Sequence, residues 1–353
     1  MTTFRNLIFY FIKMGKFHNF LLQWVCKLVP NKVRVSIGTA SVLGLVKYSL
    51  KVPPTTAYLM SFTDNGCRAN CSFCAQAKDC QGEKEKLSRV VWPSYNLEKV
   101  LEGFESPRAN IIERICFQVI NYPNFINDTV YLIKSLRVTD LPLSLDTCPV
   151  DHDSLLEFRN SGVERISIPL DGATPKIFNR IKGKGVNGPY RWEKHLKSLD
   201  QAVKVFGKGK VGTNLIIGLG ETEKEAAEFI SELKRKDVNT ILFAFTPVKG
   251  TRLQNNKQPD LRSYRRVQIA RYIISNDISS ISNFRFNQKE EITGYGVDKL
   301  DELLRDGKAF ETSGCPGCNR PFYNERPSGP QYNYPRPLTN DEIMIELDRL
   351  GVL

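Results

Sequence analysis

The sequence predicts an α/β protein: a full or partial (β/α) TIM-type barrel with an N-terminal helical extension and a C-terminal tail that carries cysteines. Three observations predict it. From residue 55 onward, apolar runs of strand length alternate with segments of helical period, and repeated β–α alternation implies a parallel sheet. Six or seven such units fit the scale of a barrel of roughly 250 residues. A cysteine triplet follows directly on the first strand-like run, and barrels carry their chemistry at the C-terminal ends of strands.

Residues 1–53 form the extension. The chain has 353 residues and a formal net charge of +12. No acidic residue precedes Asp64, whereas Arg5, Lys13, Lys16, Lys27, Lys32, Arg34, Lys47 and Lys51 all do. Two amphipathic helices are expected near 3–15 and 17–29. They would dock on the core, on an acidic partner or on a membrane surface, the alternative being a solvated basic face on a packed helix. The apolar run 7–12 is short and no small-residue cleavage site follows it, so the segment reads as retained. No apolar run approaches the ~20 residues of a spanning helix.

Residues 54–300 form the barrel. Strands are expected at 56–62, 114–120, 142–147, 164–170, 211–218, 240–246 and 283–287. Between the fifth and sixth, Ala226, Phe229, Ile230 and Leu233 follow the i, i+3, i+4, i+7 stripe of a helix. Thr222-x-x-Glu225 opens that helix as a capping box, each side chain satisfying an orphan backbone N–H. Residues 301–353 form the tail. Five prolines between 320 and 337 forbid a regular helix there. Thr339-x-x-Glu342 then restarts one, and Gly351 stops it.

Nine cysteines, at 26, 67, 71, 74, 80, 116, 148, 315 and 318, are an odd and clustered set. This is metal-site spacing in a reducing cytosol, not a disulfide framework. Cys67, Cys71 and Cys74 form C-x3-C-x2-C. Three thiolates this close hold three corners of an iron–sulfur cube and leave one iron open to another ligand. A zinc knuckle, the alternative, uses paired C-x2-C or C…H units, and no histidine lies near.

The triplet, with Phe73 before its last cysteine, resembles the signature of the radical S-adenosylmethionine (SAM) superfamily. The resemblance implies a [4Fe-4S] cluster on Cys67, Cys71 and Cys74 whose open iron chelates SAM. One electron then releases a 5′-deoxyadenosyl radical that abstracts hydrogen. Ile216-Ile-Gly218-Leu-Gly220-Glu221 resembles the family's fifth-strand SAM motif, and its glycines allow close backbone approach. Asp171, ending the fourth strand, stands where relatives bind the SAM ribose; the alternative is a turn or N-cap aspartate. Arg191 stands where relatives pair the SAM carboxylate, a bidentate match for a guanidinium; the alternative is a surface arginine. The loop 246–251 resembles one covering adenine.

Cys315-Pro-Gly-Cys318 is a tight turn that aims two sulfurs at one metal. Partners would come from Cys80, Cys116, Cys148, a residue such as Ser328, or a second chain. Cys116 and Cys148 fall on or just past the second and third strands, facing the barrel lumen or mouth; a small buried hydrophobe is the alternative for each.

Most of residues 55–300 resemble biotin synthase. Arg114-Ile-Cys116-Phe looks like its second strand, which holds one ligand of an auxiliary, sulfur-donating cluster. Gly212 stands where a further ligand cysteine is expected, and Arg285 is the available match for that cluster's arginine, so the biotin-type set is incomplete. The tail from Cys315 to Leu338 instead resembles the two-component lipoyl synthases. That resemblance implies a probable auxiliary Fe–S cluster and sulfur insertion into an octanoyl chain on a carrier-protein lysine. It also implies an acidic lipoyl-carrier domain, a second radical SAM subunit and an electron donor such as ferredoxin. The alternatives are a biotin synthase-like enzyme, a tRNA methylthiotransferase, a C–C lyase, or a non-catalytic Fe–S or zinc protein binding partners. Nucleic acid is not expected, because no RNA-binding module accompanies the charge.

Overall fold

The computed structural model describes residues 29–352. The helices expected at 3–15 and 17–29 therefore fall on or at the edge of residues outside that range.

Eight strands make one sheet. In chain order they are β1 (Lys32–Val35) and β2 (Thr56–Ser61), then, after a small hairpin of β3 (Lys86–Leu87) and β4 (Val90–Val91), β5 (Ser94–Asn96). There follow β6 (Arg114–Gln118), β7 (Leu143–Asp146), β8 (Val163–Ser167), β9 (Val211–Ile217) and β10 (Val238–Ala244). The order across the sheet is β10-β9-β8-β7-β6-β2-β1-β5. The run from β2 to β10 is parallel, while β1 is antiparallel to both β2 and β5. Six parallel strands in sequential order are a partial barrel rather than a closed one.

Helices α1 (Ile37–Val42), α2 (Leu97–Phe104), α3 (Phe125–Leu136), α4 (His152–Ser161), α5 (Pro175–Ile181), α6 (Trp192–Phe206), α7 (Glu223–Arg235) and α8 (Leu261–Ser275) connect the strands. Their apolar stripes bury against the outer sheet face, so Leu132, Phe158, Leu199 and Ala226 are fully buried or nearly so. On α7 the expected stripe is the buried one, and the capping box forms: Glu225 N–H donates to Thr222 Oγ1 at 3.1 Å, and Thr222 N–H to Glu225 Oε2 at 2.9 Å.

Two expectations need correcting. The strand expected at 283–287 shrinks to β11 (Arg285–Phe286), which pairs antiparallel with β12 (Ile292–Gly294) in a separate hairpin. Glu223 at the start of α7 accepts the Ile292 N–H at 2.8 Å, which holds the hairpin outside the barrel. Residues 29–53 are also not purely helical, because β1 joins the sheet.

The tail occupies the open side of the partial barrel. Beyond α9 (Leu300–Leu304), Ser313 Oγ accepts the Leu242 N–H at 2.8 Å and Asn324 Oδ1 accepts the Ala244 N–H at 3.3 Å, so side chains satisfy the free edge of β10. At the other side, Thr55 and Thr56 hydroxyls donate to Gly317 O at 2.7 and 2.9 Å. The last helix, α10 (Asn340–Leu350), begins at the expected capping box and ends at left-handed Gly351.

Candidate active site

The cysteine triplet lies in the loop after β2, at the C-terminal end of the parallel strands. Its backbone is pinned from several elements. Arg68 N–H donates to Asn121 O at 2.7 Å, Ser72 N–H to Ile181 O at 2.7 Å, and Leu253 N–H to Ser72 O at 3.1 Å. Asn70 Nδ2 donates to Asp79 and to Val186 O, both at 2.7 Å. The loop is therefore positioned before any ligand arrives, which lowers the ordering cost of binding.

Cys67, Cys71 and Cys74 line one cavity of about 220 Å³ with Phe73, Cys148 and Asp171. All three thiols are free. Burial pushes their pKa values up, Cys71 well above the ordinary range and Cys74 to about 12, and neighbouring thiols add to the rise at Cys71 and Cys74. Three crowded thiolates in a dry pocket are unfavourable alone and favourable around cationic metal, so the donor set fits an iron–sulfur cube. No three His, Cys, Asp or Glu side chains among the described residues converge as ligands of a single ion do. A cube spreads its ligands over separate irons.

Beside the triplet, Lys182 Nζ donates to Asp171 Oδ2 at 2.6 Å and to Pro169 O at 2.5 Å. Both side chains of this ion pair are buried. Burial pulls the Lys182 pKa down, but Asp171 and Cys71 outweigh it and hold it above its ordinary value. Asp171 has φ 66°, a left-handed conformation that a non-glycine residue keeps only when its surroundings impose it. The expected ribose ligand therefore faces the cavity already paired to a lysine.

Of the other SAM candidates, Thr246 of the loop 246–251 lines this cavity, whereas Arg191, Gly218, Gly220 and Glu221 do not. Arg191 caps α6 and donates to Gly188 O at 3.0 Å and Tyr190 O at 2.6 Å. The buried cations that do line it are Lys182 and Arg320. Gly218 and Gly220 take φ 103° and 105°, and the Glu221 carboxylate accepts the N–H of Gly218 at 2.5 Å and of Leu219 at 3.1 Å. This turn shapes the end of β9 just behind Ile216, which does face the cavity.

Below the triplet, toward the N-terminal ends of the strands, a second space of about 70 Å³ is lined by Cys116, Cys315 and Cys318. The tail turn is closed by Cys318 N–H donating to Cys315 O at 3.0 Å. Gly317 at its third position has φ 76°, as a type II turn requires, with proline before it. Ser144 Oγ donates to Cys315 Sγ at 3.3 Å, Tyr58 Oη lies 3.6 Å from Cys318 Sγ, and Arg114 Nε donates to Pro316 O at 3.2 Å. Burial, Asp146 and the two tail thiols push the Cys116 pKa well up.

The candidates for partners of the tail pair separate cleanly. Cys116 joins it. Cys148 lines the upper cavity with the triplet, so it is displaced from the tail pair. Cys80 is buried and donates to Gly250 O at 3.3 Å, Ser328 is exposed, and Arg285 is exposed on the outer hairpin. Gly212 lines the lower space and contributes room instead of a ligand.

Five residues line both spaces: Gln118, Asp146, Asn214, Phe243 and Arg320. They form a waist. Asn214 Nδ2 donates to Asp146 Oδ2 at 2.9 Å, and the Arg320 guanidinium lies 4.0 Å from the centre of the Phe243 ring. Burial pushes the Asp146 pKa up to about 7. Sequence reasoning missed these residues, although the strand alternation carries the signal: Gln118 shares a face with Cys116, and Asp146 with Ser144. Lys182 follows α5 and gave no such signal.

Residues 62–233 match the model of the radical SAM superfamily. The biotin synthase of Ehrlichia canis (strain Jake) is 21% identical over 279 residues, covering 74% of this chain and 79% of that enzyme. The biotin synthase of Sulfurihydrogenibium sp. (strain YO3AOP1) is 25% identical over 278 residues, covering 76% and 75%. Among solved structures, methylornithine synthase (PylB) aligns with a TM-score of 0.49 at 13% identity over 62% of each chain. The chain thus spans somewhat less than two thirds of that solved structure.

Proposed function

Taking the chain as a member of the radical SAM superfamily, we propose that it is a sulfur-insertion enzyme acting on an octanoyl chain carried by a protein lysine, as one component of a two-protein lipoyl synthase. One observation carries this reading: Cys67, Cys71 and Cys74 line one space and Cys116, Cys315 and Cys318 an adjoining one, with the waist residues as their shared wall. A radical generator and a sulfur source must reach the same carbon, and the lumen offers one place between them.

Cys67, Cys71 and Cys74 would hold the SAM-binding [4Fe-4S] cluster. Cys116, Cys315 and Cys318 would supply ligands to an auxiliary Fe–S cluster. When bound, the first cluster with SAM supplies a radical that takes a hydrogen atom, and the second supplies the sulfide that forms the new C–S bond. The chain's own residues do the rest. The Asp171–Lys182 pair presents one carboxylate and one ammonium to the polar parts of SAM, Phe73 and Phe245 bound its apolar parts, and the tail shuts the barrel side against water. Exclusion of water protects a radical from side reactions.

The cysteines of biotin synthase-like sulfur insertion are matched only at Cys116, and the tail pair replaces the rest; this favours the lipoyl-type reading over biotin synthesis. The test is turnover under anaerobic conditions with SAM, dithionite and an octanoyl-lysyl peptide. A peptide one sulfur atom heavier, formed with 5′-deoxyadenosine, is the expected result. Deoxyadenosine formation with an unchanged peptide, alone and with a partner subunit added, contradicts it.

A further inference from the structure

A third cavity, of about 390 Å³, opens beside the barrel between the loop after α1, the β3–β4 hairpin and the proline-rich tail. Neither cysteine group uses it. Its walls are mostly apolar, with Ile37, Leu50, Val90, Val91 and Phe322 among them. It reaches the surface at Tyr48, which is 50% exposed, and at exposed Pro327.

Its inner wall is shared with the lumen. Tyr58 also lines the lower space, Tyr323 the upper one, and Arg320 both. Arg320 thus stands at the meeting point of all three spaces. Its N–H donates to Tyr58 Oη at 2.8 Å and its Nη2 to Ser313 O at 2.6 Å. Arg320 and Phe322 have φ 35° and 60°. Left-handed non-glycine residues store strain that collects at ligand clamps and moving segments, and here two flank the wall between cavity and lumen.

The rim is basic. Arg89 lines the cavity, exposed Lys47 and Lys51 flank the lining residues Tyr48 and Leu50, and exposed Arg326 precedes Pro327. Burial, with the nearby Arg326 guanidinium, holds the Arg89 pKa below its ordinary value, against an opposing Glu325. Such a rim favours an anionic visitor.

We infer that this side cavity is the entry port for the acyl-lysyl arm of an acidic carrier domain, so that the chain reaches the waist sideways past Arg320 and Tyr323 and not through the mouth above the triplet. The inference rests on the acyl-chain reading above. An apolar channel fits the methylene chain, a basic rim fits the acidic carrier, and a mouth at Tyr48 and Pro327, which do not line the SAM cavity, lets both substrates bind at once.

Photo-crosslinking tests it. The reconstituted full chain is mixed with SAM and an octanoyl-lysyl peptide that carries a diazirine near the acyl carbonyl. Adducts on Tyr48, Val91 or Phe322 are expected, because the carbonyl half of the chain lies in the cavity while the far end reaches the waist. Val91→Trp should cut that labelling at least tenfold, and Arg89→Glu should weaken capture of an acidic carrier domain more than capture of the short peptide. Adducts on Asn121 or Tyr190 at the upper mouth, or on residues 1–28, overturn the side port and leave the acyl reading intact. Labelling that unlabelled octanoyl-lysyl peptide fails to compete overturns the acyl reading, and the port with it. Circular dichroism and the 5′-deoxyadenosine yield of each variant separate misfolding from a blocked port.

Discussion

Arg265 and Glu346, 81 residues apart, form a bidentate ion pair with Nε–Oε2 at 2.8 Å and Nη2–Oε1 at 2.9 Å, both side chains buried. The same guanidinium donates to Tyr332 O at 2.6 Å and to Gln331 O, and Tyr334 Oη donates to Glu346 at 2.9 Å. The pair thus ties α8, α10 and the proline-rich segment together. It fixes the tail that brings Cys315 and Cys318 into the lumen. Arg265→Met leaves the buried Glu346 carboxylate with only the half-buried Arg349, at 3.1 Å, and the Tyr334 hydroxyl as partners, which costs up to about 3–5 kcal/mol. The expected outcome is a lower Tm, faster proteolysis within 311–334 and loss of the tail-bound iron, while the triplet's iron stays.

Removing the tail thiols should be more selective. Cys315→Ala with Cys318→Ala should lower iron content by about half, since each group would hold one cluster. SAM cleavage should survive, because the triplet lies in the other cavity. Iron analysis and 5′-deoxyadenosine yield check this. Unchanged iron would remove the auxiliary cluster.

Lys182 neutralises Asp171 and raises the local positive potential at Cys71. Lys182→Met should destabilise the fold by about 3–5 kcal/mol, as loss of one partner of a buried pair does. Adding Asp171→Asn should recover much of that stability without recovering SAM affinity. Thermal melts and SAM titration of the two variants separate the structural from the binding contribution.

Glu325 is buried in the tail, and burial pushes its pKa up to about 8, with Arg320 and Arg265 opposing. The sign follows from linkage. The folded state keeps this proton between the ordinary carboxylate range and about 8, whereas the unfolded state has lost it. Stability from this group is therefore full at acid pH and falls as pH rises through that window. Glu325→Gln should flatten the decline of Tm between pH 5 and pH 9, measured by calorimetry.

Much of the fold was legible because its signals are local. Strand alternation and the Thr222 capping box act within a few residues, so six parallel strands and α7 stand where the pattern put them. The segment 283–287 misled because its alternation is real, but Glu223 captures the neighbouring strand from outside the barrel. The triplet was legible for the same local reason. Lys182, Arg320 and the waist were not, since their roles depend on which residues the barrel brings together. Cys116 and Cys148 show the limit well. Both read as strand-end cysteines, but Cys148 lies four residues beyond Ser144, the register partner of Cys116, and the two line different cavities.

The most direct test of a two-cluster lumen is metal content. The chain is reconstituted anaerobically with iron and sulfide, both are quantified, and SAM and dithionite are added. About eight irons per chain with 5′-deoxyadenosine formed is the predicted result, two cubes on two cysteine groups. About four irons with deoxyadenosine still formed would contradict it, leaving one radical-generating cluster and a tail turn that serves structure alone.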